Sequence, residues 1–411
     1  MKVKIVLSLT GVALFAASGT ATTISGNVYT EFYSYESKIP ASNSHLRSLQ
    51  GYRLNISDAF ISGLSAFASG RLASDISDKS PTDPDYRVFG AYLQYRSRSD
   101  RFLIRAGRQF VYEGLGGLTL DGGKLKIAVG KNISLSGFGG TVPGPSFFTY
   151  DQVNRWNRRN AFGGRVSVKA SGKLGLNFSF LQKEVDENLD ARLIGLDAAY
   201  RKGRCSNSLR VDYDLYAKKV KLVSLRPQFR YKGGHDIRLE YSYRKPLLGY
   251  NSVFSVIDAK SIHQARLNAV YRNSTDLRTI AAVAYTMFSD DSNINIRAGV
   301  IFKGQSGGLA AASGYGGTKV GFFGGLRHDL NDDLTVYGNL DMYNLKLDSD
   351  EDEQEMFITA VFGGAYDVMK NLGARAEIQI LSNPVYDYDT RGYVRLDYDI
   401  QYTGNGGGDA K

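Results

Sequence analysis

Strict alternation constrains this chain more than any other feature, and residues 224–245 (SLRPQFRYKGGHDIRLEYSYRK) show it most plainly. Leu225, Pro227, Phe229 and Tyr231 alternate with Arg226, Gln228, Arg230 and Lys232. Ile237, Leu239, Tyr241 and Tyr243 alternate in the same way with Arg238, Glu240, Ser242 and Arg244. Successive side chains of a strand point to opposite faces, so each half reads as a strand with one apolar and one charged face. Gly233-Gly234-His235 between them is a hairpin signal. Keeping both charged sets on one face requires an odd loop. A three-residue loop over 233–235 predicts Lys232 opposite Asp236 and Gln228 opposite Glu240.

One such hairpin fits a soluble sandwich as well as a membrane protein. Recurrence decides between them. Similar segments run from residue 24 to residue 403, with a Tyr-rich apolar face and a polar face dense in full charges. A sheet of that size must close, and a wet, charged interior inside an apolar exterior is a transmembrane antiparallel β-barrel. The expected count is about 20 strands, within about 18–22, since a single-chain bacterial barrel has an even number. Twenty-two segments can be marked; the weakest is 306–312 (SGGLAAA). Tight connections rich in turn formers, such as 97–100, 171–173, 233–235, 273–276, 331–332 and 370–371, are assigned to the periplasmic side. The longer ones near 75–85, 143–160, 247–260 and 348–355 are assigned to the extracellular side.

Residues 1–21 read as a signal peptide: Lys2 and Lys4, an apolar stretch from Ile5 to Ala17, then Gly19-Thr20-Ala21. The apolar stretch is shorter than the ~20 residues of a spanning helix. The barrel is assigned to 22–403 and a short flexible tail to 404–411. Loss of Lys2 and Lys4 lowers the formal charge from +10 to +8. The single Cys205 excludes an internal disulfide. A mean hydropathy of −0.26 suits a barrel, because half of each strand faces water.

Leader, alternating strands, short turns and longer opposite loops together resemble Gram-negative outer-membrane porins and porin-like channels. Leu103–Gln109 (LIRAGRQ) is mildly similar to a strand of alginate-export-type barrels. The resemblance implies an outer-membrane channel for passive diffusion of small hydrophilic solutes, with no enzyme activity and no cofactor. Such barrels commonly end on an aromatic residue, whereas nine residues follow Tyr402 here. Tyr398 and Tyr402 are then candidates for an internal assembly signal. Expected partners are outer-membrane lipid, lipopolysaccharide and small solutes, with a second copy or a periplasmic redox protein left open. Nothing points to nucleic acid. The alternative is a barrel sheathing a cytochrome or secretion partner; without CxxCH the chain carries no c-type haem itself.

Selectivity candidates lie on the charged faces. Arg210, Asp212 and Asp214 alternate with apolar residues, as do Arg226, Arg230, Arg238 and Glu240. Arg375 and Glu377, then Arg395, Asp397 and Asp399, repeat the pattern. Charge rows of this kind set a pore's ion selectivity, with a slight anion preference expected for a basic chain. The bland reading is mutual neutralisation across strands. The loop 143–160 carries the only Trp, Trp156, among Arg155, Arg158 and Arg159, and either constricts the pore or decorates its rim. The acidic run 348–353 lacks the glycine and spacing of a calcium loop and reads as a solvated loop. Ser261 and His263 share one strand face but have no orienting partner, which is short of a hydrolase triad. Residues 117–124 fall short of a phosphate loop, with Leu118 where the first glycine belongs and Leu125 where Ser or Thr belongs.

The leader should end near Ala21 and the mature protein should fractionate with outer membranes. N-terminal sequencing of that fraction checks both, and an intact Met1 in the cytosol would remove the export assignment.

Overall fold

The computed structural model describes residues 22–37, 43–58, 61–78, 83–143, 159–246, 260–347, 354–383 and 388–403. The leader, the 404–411 tail, Arg155, Trp156, Arg158 and the acidic run 348–353 lie outside the described residues. The strands are β1 (Thr23–Ser37), β2 (Asn43–Ser57), β3 (Leu64–Asp75), β4 (Asp85–Arg96), β5 (Phe102–Tyr112), β6 (Gly117–Val129) and β7 (Ile133–Thr141). Next come β8 (Arg159–Lys169), β9 (Leu174–Val185), β10 (Asn188–Lys202), β11 (Cys205–Asp214), β12 (Lys219–Arg230), β13 (Asp236–Arg244) and β14 (Ile262–Arg272). The rest are β15 (Leu277–Met287), β16 (Ser292–Phe302), β17 (Gln305–Gly314), β18 (Thr318–Asp329), β19 (Leu334–Lys346), β20 (Gln354–Met369), β21 (Leu372–Ser382) and β22 (Asp389–Thr403). All twenty-two are antiparallel to their sequence neighbours, and β1 pairs with β22 from Thr23↔Thr403 to Ser34↔Gly392. The barrel is closed. The weak SGGLAAA segment is a full strand, β17, paired on both sides.

Closure lets every strand hydrogen-bond to two neighbours, which lipid demands because it offers backbone groups no partner. The two faces then sort as the alternation requires. Leu239 and Tyr241 are 41% and 42% exposed on the outer face, while Arg226 and Glu240 form an ion pair on the inner one. At the end that carries the short turns, Tyr95, Tyr231, Tyr271, Tyr366, Tyr398 and Tyr402 are all exposed outward, as in the aromatic girdle of an outer-membrane barrel.

The β12–β13 hairpin departs from expectation in one respect. Arg230 opposes Asp236 and Gln228 opposes Arg238, two residues away from the predicted register. The turn is Lys232–Gly234, closed by the Tyr231 N–H donating to the His235 carbonyl at 2.9 Å. Gly233 and Gly234 both take positive φ (85° and 86°), so the left-handed pair centres the turn one residue earlier. His235 follows the turn and precedes β13: its ring stacks on Tyr271 at 4.3 Å and Nδ1 accepts the Arg272 N–H. The loop is still odd, so the charged sets still share a face.

Replacing Leu239 with Arg should destabilise the barrel by about 2–4 kcal/mol if the site is near the bilayer midplane. In a Cys205→Ser background, cysteine at 238 should react with a membrane-impermeant thiol reagent and cysteine at 239 should not; the reverse pattern would invert the faces.

Candidate functional site

The lumen is narrowed by the β5–β6 hairpin. The β4–β5 ladder stops at Ala91↔Arg108, and the β6–β7 ladder starts only at Asp121↔Thr141. Between those limits Gln109–Tyr112 pair only with Gly117–Leu120. The tip has left the wall. Its hinge is a glycine row, with Gly107 opposite Gly122 and Gly122 opposite Gly140. Gly107 has φ +122°, and a Cβ on Gly122 would lie 2.7 Å from the Gly140 Cα, so side chains there would block the bend.

Inside, the tip packs face to face on the wall. Val111, Leu115, Leu118 and Leu120 join Phe138, Ala161, Leu181 and Leu193 in one buried cluster. The last four share the inner face of β7–β10 with Ser136, Arg165, Ser179 and Asp197. Leu115 sits against Gly195, where a Cβ would come within 2.6 Å of its Cδ2. Each such buried side chain contributes about 1.5–3 kcal/mol, and the patch would otherwise be an apolar surface in water. Polar contacts fix the rim: Arg210 Nη1 donates to the Tyr112 hydroxyl at 2.6 Å, and Glu113 accepts from Ser136 Oγ at 2.8 Å and pairs with Lys124.

Among the described residues, the charged side chains singled out in the alternation lie on the inner face of their strands, and most are already paired. Arg210 Nη2 lies 2.6 Å from Asp212. Asp214 is buried, accepts the Tyr216 and Ala217 N–H groups, and lies 3.5 Å from Lys221. Arg226 pairs with Glu240 at 2.8 Å and Arg230 with Asp236 at 3.4 Å. Arg226, Arg238 and Glu240 share a recess of about 860 Å³ with the β8–β9 turn. Arg395 pairs with Asp397 at 2.5 Å and approaches Glu31 at 3.5 Å, while Asp399 accepts from Asn27. Glu377 accepts from the Tyr337 hydroxyl at 2.6 Å, and Arg375 directly opposes Arg395. Arg159 begins β8, opposite Val185.

A second set of inward cations does not stand out in the alternation pattern. These rest on aromatic rings. Arg53 lies 5.5 Å from the Phe67 ring centroid, Arg105 4.3 Å from Tyr92, and Arg297 3.5 Å from Phe323. Phe67 and Tyr92 stack on each other at 4.9 Å, so β2 to β5 carry a continuous guanidinium–ring–ring–guanidinium track. Among the described residues Arg53, Arg71, Arg105 and Arg297 make no ion pair with a carboxylate. A guanidinium on a ring face keeps its in-plane N–H groups available, apart from the two that Arg105 donates to Gln94 Oε1. The available signal was an aromatic residue, Phe67 or Tyr92, on a face otherwise polar. Among the described residues no three His, Cys, Asp or Glu side chains gather to hold a metal. His263 Nδ1 lies 3.0 Å from the Tyr241 hydroxyl on the outer face.

No protein-family model matches the chain, and no curated protein matches it in sequence. Solved structures similar to it include Pseudomonas aeruginosa OccK9 (OpdG), at 14% identity over 94% of this chain and 100% of that one, with a TM-score of 0.48. Acinetobacter baumannii OccAB3 is 11% identical over 93% and 99%, with a TM-score of 0.46. A BenF-like porin from Pseudomonas fluorescens Pf-5 is 7% identical over 93% and 99%, also at 0.46. The functional reading of this chain rests on its own barrel.

Releasing the tip should open its dry face. In the Cys205→Ser background a cysteine replacing Leu193, which is 4% exposed, should react slowly with a small water-soluble thiol reagent. Adding Leu115→Asp, which sets a carboxylate in the leucine cluster, should speed that reaction at least 10-fold; equal rates would mean the tip does not cover β10.

Proposed function

We propose that the protein is a porin-like channel of the Gram-negative outer membrane, through which small hydrophilic solutes diffuse passively with a preference for anions. The carrying observation is the wet inner face. Inward Arg266, Asn295, Arg297 and Arg375 are exposed although they lie inside a closed barrel, which requires water in the lumen. The dry cluster is confined to the β5–β10 sector. The inward tip occupies space that a protein filling the lumen would need, which favours the channel over a sheath for a redox or secretion partner.

Anion preference follows from which charges are free to act. Most inward carboxylates are engaged by a neighbouring cation or hydroxyl, whereas Arg53, Arg71, Arg105 and Arg297 have no carboxylate among the described residues. A pore lined in this way attracts anions and repels cations. No catalytic role is assigned. His263 meets Tyr241 and Tyr243 on the outer face, an arrangement suited to a packed aromatic cluster rather than to a hydrolase.

Changing Arg53, Arg71 and Arg105 together to Ser should lower the anion-to-cation permeability ratio measured from reversal potentials in a salt gradient. The shift should be larger near 0.01 M than near 1 M salt, where the screening length falls from ~30 Å to ~3 Å. An unchanged reversal potential at low salt would remove these arginines from the selectivity mechanism.

A further inference from the structure

Charge is unevenly spread around the end of the barrel that carries the short turns. At three neighbouring connections Lys169 and Lys173 (β8–β9), Lys202 and Arg204 (β10–β11) and Lys232 (β12–β13) are all exposed. The β18–β19 connection carries the opposite sign, with Asp329, Asp332 and Asp333 exposed. The basic sector is therefore a local feature rather than a consequence of net charge.

Just inside the mouth, the basic turns continue into the recess of about 860 Å³ on the inner wall. Its floor is made of small side chains. Gly175, Ala199 and Ser208 lie in one row, because Ala199 pairs with both of the others. Ser206 lies in the next inward row, between Arg201 and Gln228. Lys169, opposite Gly175, stands on one side of this floor with Lys173 and Arg201. Arg226, opposite Ser208, and Arg238, opposite Gln228, stand on the other. Lys169 and Arg226 are four strands apart, about 19 Å at ~4.8 Å per strand. The one carboxylate of the lining, Glu240, is engaged by Arg226 at 2.8 Å. Lys169, Lys173, Arg201 and Arg238 make no ion pair with a carboxylate among the described residues.

Four uncompensated cations in one recess repel each other and call for several negative charges at once. Lipid headgroups cannot supply them, since the recess is on the inner face. A permeating solute is a poor match too, because conduction needs binding weak enough to release at the exit. The cations also run past the mouth, on Lys202, Arg204 and Lys232. A ligand that follows them must extend from the recess into the compartment outside.

We propose that this trough is a docking site for an extended acidic segment of a periplasmic protein. Arg201 and Arg238 offer planar forks to its carboxylates, and Lys169 and Lys173 offer point charges. The small floor lets the segment's backbone lie close to the wall, and alternate side chains of an extended segment reach opposite sides of it. The partner then stands at the exit of the pore, where a solute that has crossed emerges. The site rests on the outer-membrane placement and not on which solutes permeate.

The probe is fluorescein-labelled hexaglutamate, with hexaglutamine as its uncharged control, read by fluorescence anisotropy with the detergent-solubilised full-length protein. Hexaglutamate should bind saturably and hexaglutamine should not; no binding of hexaglutamate would overturn the site. Combining Lys169→Gln, Lys173→Gln and Arg201→Gln should weaken binding at least 10-fold. Combining Arg98→Gln, Arg101→Gln and Lys131→Gln removes the same charge from other turns and should leave binding as in the wild type. Equal losses in the two triple variants would mean that net charge alone attracts the peptide, and would overturn the site. Unchanged far-UV circular dichroism shows that a variant is folded. Should the first triple variant fail to fold, Lys173→Gln in its exposed turn carries the test: a loss of at least 3-fold supports the site and wild-type affinity overturns it. Free glutamate and pyrophosphate should displace the peptide only at concentrations at least 10-fold above its own. Displacement at equal concentration would make the trough a small-solute site and overturn the docking role. In cells, Lys202→Cys in the Cys205→Ser background should react with a maleimide–polyethylene glycol too large for the pore only after the outer membrane is permeabilised. Reaction in intact cells would place this end outside and overturn a periplasmic partner.

Discussion

Pairing of the first strand with the last is the interaction on which the rest of this molecule depends. Without the β1–β22 ladder, two edges of unsatisfied backbone groups would lie in lipid, where each costs several kcal/mol. With it, all backbone demands along the crossing strands are met inside the sheet, and side chains are free to answer to their surroundings. The outer set answers to lipid and the inner set to water. Nothing else in the structure makes it reasonable for Arg297 and Arg375 to be solvated at the centre of the protein, or for Leu239 and Tyr241 to be bare on its surface.

Closure creates an interior, and the hairpin tip divides it. On β7 to β10 one patch of the inner wall, Phe138, Ala161, Leu181 and Leu193, is dry, covered by Val111, Leu115, Leu118 and Leu120. Elsewhere it is wet and charged. The tip can leave the wall because the glycine row at 107, 122 and 140 tolerates the bend, and it stays down because its own inner face is apolar. The guanidinium–ring track on β2 to β5 begins where β5 departs from β4, since Tyr92 pairs with Gly107. Constriction and charge therefore meet at one hinge.

The period-two pattern carried most of this fold: it marked twenty-two segments, and the expected count of about 20 strands falls just short of the twenty-two found. Its limits are physical. A shift of two residues preserves both faces, so alternation could not distinguish Gln228↔Arg238 from Gln228↔Glu240; two left-handed glycines made that choice. Nor does alternation say that a strand has left the wall, because a hairpin tip still alternates. A sign was present all the same. The inner face of β6 reads Leu118, Leu120, Gly122, Lys124, Lys126, and the change from leucine to lysine marks the passage from dry to wet. On β4 the inner set switches from odd to even numbers across Phe89, from Arg87 to Gly90 and Tyr92, which is how a bulge reads in sequence. The loop around Trp156 stands out in sequence by its basic and aromatic composition; the hairpin that narrows the lumen has only four residues between its strands and no such signature.

Single-channel conductance of the purified full-length protein, compared with a variant in which residues 110–119 are replaced by a short Gly-Ser turn, tests the central claim most directly. A water-filled barrel narrowed by this hairpin predicts discrete, stable current steps for the wild type and larger steps for the variant. No steps from either protein, or steps of the same size from both, would contradict it.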